Sequence, residues 1–195
     1  MKYILMMYVT LIPAIIAGII NMIWCKSSIL KKIQTPIDGG KKFKDGKRIL
    51  GDNKTWKGIL GYILFNTVAA IIWGIICKYA NLNSYNFFYT NYENTIYHNL
   101  LIGTLLGIAY SAFELPNSFI KRRIGIESGK TANGLKKYFF VFLDQADPIL
   151  GCCLVVCIFY RMSIEFYLLY VLIGAITHIV FNMLLYFMKL RKNMF

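Results

Sequence analysis

The sequence predicts an all-α integral membrane protein with five transmembrane helices, its amino terminus outside and two long basic loops in the cytoplasm. Three observations carry this expectation. Of 195 residues, 57% are apolar, more than a soluble domain carries. The apolar residues gather in five windows, roughly 3–24, 58–77, 97–115, 138–160 and 164–188, each near the roughly 20 residues that span hydrocarbon. The cations alternate with these windows. Of 22 Lys and Arg, 19 fall at 25–57, at 116–137 or after 188, leaving Lys2, Lys78 and Arg161 for the opposite side. That is the positive-inside pattern. It turns a net charge of +13 away from nucleic-acid binding and toward a multi-pass protein of the cell membrane, a single transmembrane domain over 1–195.

The first window lacks a small-x-small cleavage site where Met22-Ile-Trp-Cys25 stands, so it reads as a retained span rather than a signal peptide. The loop after it runs Pro36-Ile-Asp38-Gly39-Gly40 to Gly51-Asp52-Asn53-Lys54-Thr55-Trp56-Lys57-Gly58. It mixes cations with glycines that let backbone amides approach a ligand. Two readings fit it: a ligand cradle, or a basic surface held to anionic lipid heads. Asn53-Lys54-Thr55 matches a glycosylation sequon, but by accident in a cytoplasmic loop.

Asn66 and Thr67 in the second window are suited to interhelical hydrogen bonds. The loop at about 78–96, rich in Asn and Tyr with Phe87-Phe88-Tyr89, reads as aromatic anchors at the bilayer interface. In the third window Gly103-x3-Gly107 and Gly107-x3-Ser111 predict close helix packing, and Glu114 ends the helix beside a Pro116 stop. Lys121-Arg122-Arg123 follow, fit for phosphate oxygens or for anchoring. His178 and Asn182, four apart in the fifth window, again read as interhelical hydrogen-bond formers. The five cysteines have no metal-like spacing and read as small core residues.

The fourth window holds the chemistry. Asp144 and Asp147 interrupt an otherwise apolar run, where each carboxylate costs at least about 2.5 kcal/mol near the bilayer core. Three residues apart on a helix they share a face and can address one cation. Magnesium is commonly held by one or two carboxylates together with substrate phosphates. The cations of the preceding loop lead directly into this helix, which suggests a site for metal and polyphosphate together.

In order along the chain, Pro36-Ile-Asp38-Gly39-Gly40, Leu50-Gly51-Asp52-x-Lys54-Thr55-Trp56-x-Gly58, Glu114-Leu-Pro116-Asn117-Ser118-Phe119-x-Lys121-Arg122 and Leu143-Asp144-Gln145-x-Asp147 resemble the phosphatidate cytidylyltransferases. The closer similarity is to their archaeal-type branch, the CDP-archaeol synthases. Lys57 stands where the bacterial enzymes carry Glu, and Tyr138-Phe-Phe-Val-Phe-Leu143 where they carry His-Gly-Gly. The resemblance implies transfer of CMP from CTP to a lipid phosphate, with release of pyrophosphate, a divalent metal such as Mg2+ and a cytoplasm-facing site. Its implied catalytic residues are Asp144, Asp147, Lys121 and Arg122, the two aspartates being the metal ligands. Its implied nucleotide-binding residues are Lys54, Thr55, Asn117, Ser118, Arg123, Asp38, Gly39, Gly40 and Asp52. The lipid phosphate is an isoprenoid-ether glycerol phosphate or a phosphatidate, with its tails entering sideways between helices.

Other classes compete. A small cation transporter or channel explains the paired aspartates but not the basic loops or the Lys-Thr-Trp sequence; a non-catalytic membrane partner and a CTP-dependent lipid kinase are further alternatives. The topology is testable on its own. In a variant without native cysteines, single cysteines placed in 25–57 or 116–137 should resist an impermeant thiol reagent in intact cells, and ready labelling there would overturn the orientation.

Overall fold

The computed structural model describes residues 2–130 and 134–189. Five helices long and apolar enough to cross a membrane run antiparallel in chain order. They are α1 (Lys2–Lys26), α2 (Trp56–Tyr79), α3 (Ile96–Arg123), α4 (Leu135–Phe159) and α5 (Ile164–Phe187). Among the described residues there is no strand, only isolated bridges pairing Pro36 with Thr55 and Lys42 with Arg48. The chain is an all-α integral membrane protein, as expected; Arg191 and Lys192 of the basic tail lie outside the described residues. Successive helices pack on one another, so the first basic loop, 27–55, shares one end of the bundle with the cationic last turn of α3, Lys121, Arg122 and Arg123, and with the start of α4.

Helices α2, α3 and α4 approach closely because glycines allow it. A Cβ at Gly103 would sit 2.5 Å from the Thr67 Cα, one at Gly107 2.4 Å from the Ile63 Cα, and one at Gly151 2.6 Å from the Ala109 carbonyl oxygen. Backbones therefore touch where no side chain fits. Thr67 uses the proximity, with its Oγ1 3.2 Å from Thr104 Oγ1, whereas Asn66 Nδ2 turns back to its own helix at the Tyr62 carbonyl.

Three of the helices carry internal prolines. Pro13 has no amide to offer the Val9 carbonyl, and Trp73 Nε1 of α2 donates to that carbonyl at 2.8 Å instead. Pro116 corrects an expectation. The third helix does not stop at Glu114; it continues to Arg123. One lost backbone bond is offset by side chains of that last segment, Asn117 and Lys121, which bond to α4. Local propensity is overridden by tertiary contacts.

The ends are fixed by caps and buried polar groups. Thr55 caps α2, its Oγ1 accepting from Gly58 N at 3.1 Å. Lys57 is fully buried; its Nζ donates to the Ser27 carbonyl just beyond α1 at 2.7 Å and lies 4.9 Å from the centre of the Trp24 ring, so it binds the end of α1 to the start of α2. At the opposite end Phe87 and Phe88 are buried rather than laid along the bilayer interface. Phe87 packs on Tyr160, Phe166 and Tyr170, its amide bonds Thr10 Oγ1 at 3.0 Å, and Phe88 meets Phe159. The pair is a plug; Tyr79 and Tyr97, largely exposed, stand at the end of α2 and the start of α3 instead. The five cysteines are free and half-buried or buried, consistent with packing.

Because the α2–α3 contact is backbone on backbone, Gly107→Ala should destabilise the bundle by about 1–3 kcal/mol through overpacking. Gly18→Ala, where a Cβ meets nothing within 4 Å, should leave the thermal midpoint in detergent unchanged or slightly raised. Equal midpoints for the two variants would contradict this account of the packing.

Candidate active site

The two aspartates of α4 face α3, and α3 answers with residues one turn apart. Asn117 Nδ2 donates to Asp144 Oδ1 at 2.6 Å and to Asp147 Oδ2 at 2.9 Å. Lys121 Nζ donates to Asp144 Oδ1 at 2.6 Å and pairs with its other oxygen. Asp147 is buried. Two acceptors here, Asp147 Oδ1 and Asn117 Oδ1, are buried without a hydrogen-bond partner. An orphaned acceptor in apolar surroundings is costly, and all-oxygen donors of this kind suit a hard cation. Among the described residues no group of three or more His, Cys, Asp or Glu forms a complete metal cage. The set fits magnesium, which takes one or two carboxylates and leaves its other positions to water and substrate phosphates.

Cations ring the same space. Arg122 is buried, with its Nη1 lacking a hydrogen-bond partner and its Nε in a long 3.5 Å contact with the Ser118 carbonyl. Lys54 reaches across from the first loop to pair with Glu114 of α3. Burial works against the Lys54 charge, but Glu114 outweighs it, with Asp147 and Asp144 adding in the same sense, so the ammonium's pKa lies above its usual value. The sequence marks Glu114 as a helix end and as part of the Glu114-Leu-Pro116-Asn117-Ser118 stretch, and neither feature signals this pairing.

These groups line a cavity of about 550 Å³. Lys54, Glu114, Asn117, Ser118, Lys121, Arg122, Asp144 and Asp147 form its polar end. Its deeper part runs between α1 and α5, walled by Leu11, Ala14, Ile15 and Ile19 on one side and Ile173, Gly174 and Phe181 on the other. The two helices meet toward the plugged end, through Tyr3 on Phe166, Tyr170 bonding the Met7 carbonyl and Tyr8 bonding Thr177. Toward the loops the cavity parts them. Tyr62 and Tyr110, stacked at 4.1 Å, with His178 and Asn182, line the middle. The two tyrosines carried no motif. His178 and Asn182 do bond between helices as expected, to the Gln145 carbonyl at 3.2 Å and to Gln145 Oε1.

The remaining expected site residues lie outside the cavity lining and hold the first loop together. Asp38, its side chain 1% exposed, accepts from Arg48 and from the amides of Gly40, Leu50 and Gly51. Burial opposes its charge, yet the bonds from Arg48, Leu50 and Gly40 hold its carboxyl well below the usual carboxylate range. Gly39 and Gly40 take the positive φ of this turn, 55° and 79°, which glycine adopts without strain. Asp52 orients Arg48 from the other side at 2.7 Å. Thr55 is the α2 cap. Arg123 packs against both Phe43 and Phe119, 5.1 and 4.7 Å from their ring centres, the two rings meeting edge to face, and bonds Asp45 and the Arg48 carbonyl. It clamps the first loop to the end of α3.

Comparison with known proteins agrees in chain length and order. The family model described as CarS-like, CDP-archaeol synthase, matches residues 1–195. The CDP-archaeol synthase of Sulfurisphaera tokodaii is 31% identical over 192 residues, 97% of this chain and 95% of that one. Those of Archaeoglobus fulgidus and Methanocaldococcus jannaschii are 33% and 30% identical, covering 81% and 78% of this chain and 83% and 78% of theirs. A solved structure, reported as an intramembrane enzyme for archaeal membrane lipids biosynthesis, superposes with a TM-score of 0.60 over 90% of this chain and 92% of that one, at 22% identity, and shares the fold.

If the paired aspartates hold a divalent ion, Asp147→Asn should weaken binding of Mn2+, as a magnesium stand-in followed by paramagnetic resonance in the presence of CTP, by on the order of tenfold or more. A folded Asp147→Asn protein with unchanged Mn2+ affinity would show the pair to be structural.

Proposed function

Because the chain belongs to the CarS-like CDP-archaeol synthase family, we propose that the cavity between the paired aspartates and the α1–α5 crevice is its active site. Family membership makes the chain a CTP-dependent cytidylyltransferase that produces a CDP-activated lipid in lipid biosynthesis. The observation that carries the site assignment is the junction of the Asn117-bridged aspartates with Lys121, Arg122 and Lys54 at the mouth of an apolar crevice. A transporter needs a path to the other face, and this cavity ends at the Tyr170 side of the aromatic plug.

In the reaction an oxygen of the lipid phosphate bonds to the α-phosphorus of CTP, the bond from that phosphorus to the β-bridging oxygen breaks, and pyrophosphate leaves with the electron pair. A phosphate monoester is already anionic at neutral pH, so no strong general base is required. The barrier lies in bringing anions together and in the charge that builds on the leaving group. Lys121 and Arg122 face that charge from α3. Lys54, held charged by Glu114, reaches it from the first loop. Asp144 and Asp147, with Asn117 Oδ1 beside them, would hold Mg2+, which supplies neutralisation of the phosphate oxygens when bound. Asp38, Asp52 and Arg123 act at one remove, by setting the loop that carries Lys54.

The lipid enters from the side. Its chains lie in the apolar crevice between α1 and α5, open toward the loops, while its phosphate meets the cations. The relatives' names make the phosphate of archaeol the first lipid to test, with phosphatidate as the comparison. The basic loops face the cytoplasm, where CTP is made, and the protein sits in the cell membrane, by the charge asymmetry of 19 cations against three.

Purified protein incubated with labelled CTP, Mg2+ and either lipid phosphate should form CDP-lipid. Lys121→Ala and Arg122→Ala should each lower kcat/KM for CTP on the order of 100-fold or more, the cost of removing one preorganised charge at a reacting phosphate. If both changes cost less than about fivefold in detergent, the two residues are membrane anchors and CTP binds elsewhere.

A further inference from the structure

We infer that Tyr110, His178 and Asn182 form a separate polar subsite that recognises the glycerol-linkage oxygens of the lipid phosphate and so selects the lipid. The inference rests on the active-site reading of the cavity. The three side chains line its middle, from α3 and α5, at the level where a polar mouth gives way to apolar walls. They are joined into a rung: Tyr110 Oη lies 3.5 Å from His178 Nε2, His178 Nδ1 lies 3.2 Å from the Gln145 carbonyl, and Asn182 Nδ2 donates to Gln145 Oε1.

Depth is the argument. Asn182 and His178, one turn apart on α5, both bond Gln145, the residue after the Asp144 that pairs with Lys121. The rung therefore starts beside the phosphate cations and runs inward to Tyr110, three turns below Lys121 on α3, about 16 Å. A phosphate seated at Lys121 and Arg122 puts the first linkage oxygens three to four bonds further in, about 5 Å at ~1.5 Å per bond. They arrive at the Asn182 end of the rung. Past it the walls are mostly apolar, Leu11, Ala14, Ile173 and Gly174, and the hydroxyls there are already engaged, Tyr8 with Thr177 and Tyr170 with the Met7 carbonyl. Polar groups on helices at membrane depth are costly unless they line a cavity or bind something, and Leu or Phe would serve packing alone. A site built to hydrogen-bond substrate oxygens discriminates against a ligand without them.

The test uses the full-length protein in detergent and compares a dialkylglycerol phosphate with a single-chain alkyl phosphate, which has a phosphate and a tail but no linkage oxygens. Native mass spectrometry reads binding without CTP or metal; steady-state kinetics reads KM for lipid and for CTP separately. Wild type should prefer the glycerol lipid at least roughly tenfold, about one net hydrogen bond. His178→Leu and Asn182→Leu should lose that preference and raise the lipid KM by a similar factor, with the CTP KM within about twofold. His178→Gln, which keeps a donor and an acceptor, should retain most of it. Equal use of the two lipids by wild type would overturn the subsite without reference to any variant's folding. So would folded Leu variants with unchanged preference, or with lipid and CTP weakened alike, which would mark the rung as support for the aspartate helix. If wild type turned over no CTP at all, the active-site reading would fail, and the binding arm would still decide the subsite.

Discussion

A carboxylate in a membrane-spanning helix has to be partnered, and the arrangement of this protein follows from how Asp144 and Asp147 meet that requirement. Their partners, Asn117 and Lys121, lie four residues apart on α3, so α3 must stay helical to that depth and beyond. It does so through Pro116. Helix α4 must also lie against α3 with little between them, which Gly151 on the Ala109 carbonyl permits. Gly103 and Gly107 then bring α2 equally close on the other side of α3. Partnering is incomplete: each of Asp147 and Asn117 keeps one buried oxygen unbonded. A scaffold optimised for stability alone would have filled these; under the proposed function they are the oxygens left for a cation.

The many cations divide by what surrounds them. Arg48, Arg123 and Lys57 are consumed by the scaffold, in the Asp38 turn, the Phe43–Phe119 clamp and the Ser27 cap. Lys54, Lys121 and Arg122 line the cavity. The two sets depend on each other. Lys54 sits at the end of a loop whose shape is imposed by Asp38 and whose attachment to α3 is imposed by Arg123. Arginine suits the scaffold role because its planar guanidinium bonds on one edge while its faces rest on aromatic rings.

Periodicity and charge made the five helices, the shared end of the first basic loop and the α3 cations, and the Asp144–Asp147 pair legible from sequence, because hydrocarbon imposes a length and a polarity that few other environments do. Less legible was the division of labour within a motif. Asp38, Gly39, Gly40, Thr55 and Lys54 read alike as ligand-facing, yet Thr55 turns inward to cap α2 and Asp38 gathers amides, while Lys54 alone of the five lines the cavity. A motif records which residues occur together; whether a side chain faces the ligand or the backbone depends on loop geometry that no periodicity encodes. The stop expected at Pro116 and the interfacial anchors expected at Phe87 and Phe88 failed for a related reason. Both were local preferences, and contacts with α4 in one case and with α1, α4 and α5 in the other outweighed them.

The plug of Phe87, Phe88, Tyr160 and Tyr170 has an electrical meaning. A membrane holding an ion gradient behaves as a charged capacitor, and any wetted path through it discharges the store. A bundle with carboxylates and a cavity reaching its middle is one breach away from such a path. The aromatic layer closes the inner end of the cavity, so that under the proposed function an anionic nucleotide and its pyrophosphate would come and go on one side while the dielectric remains whole. Chemistry inside a membrane, on this view, carries an insulation requirement that chemistry in water never meets, and in this chain four rings help to satisfy it.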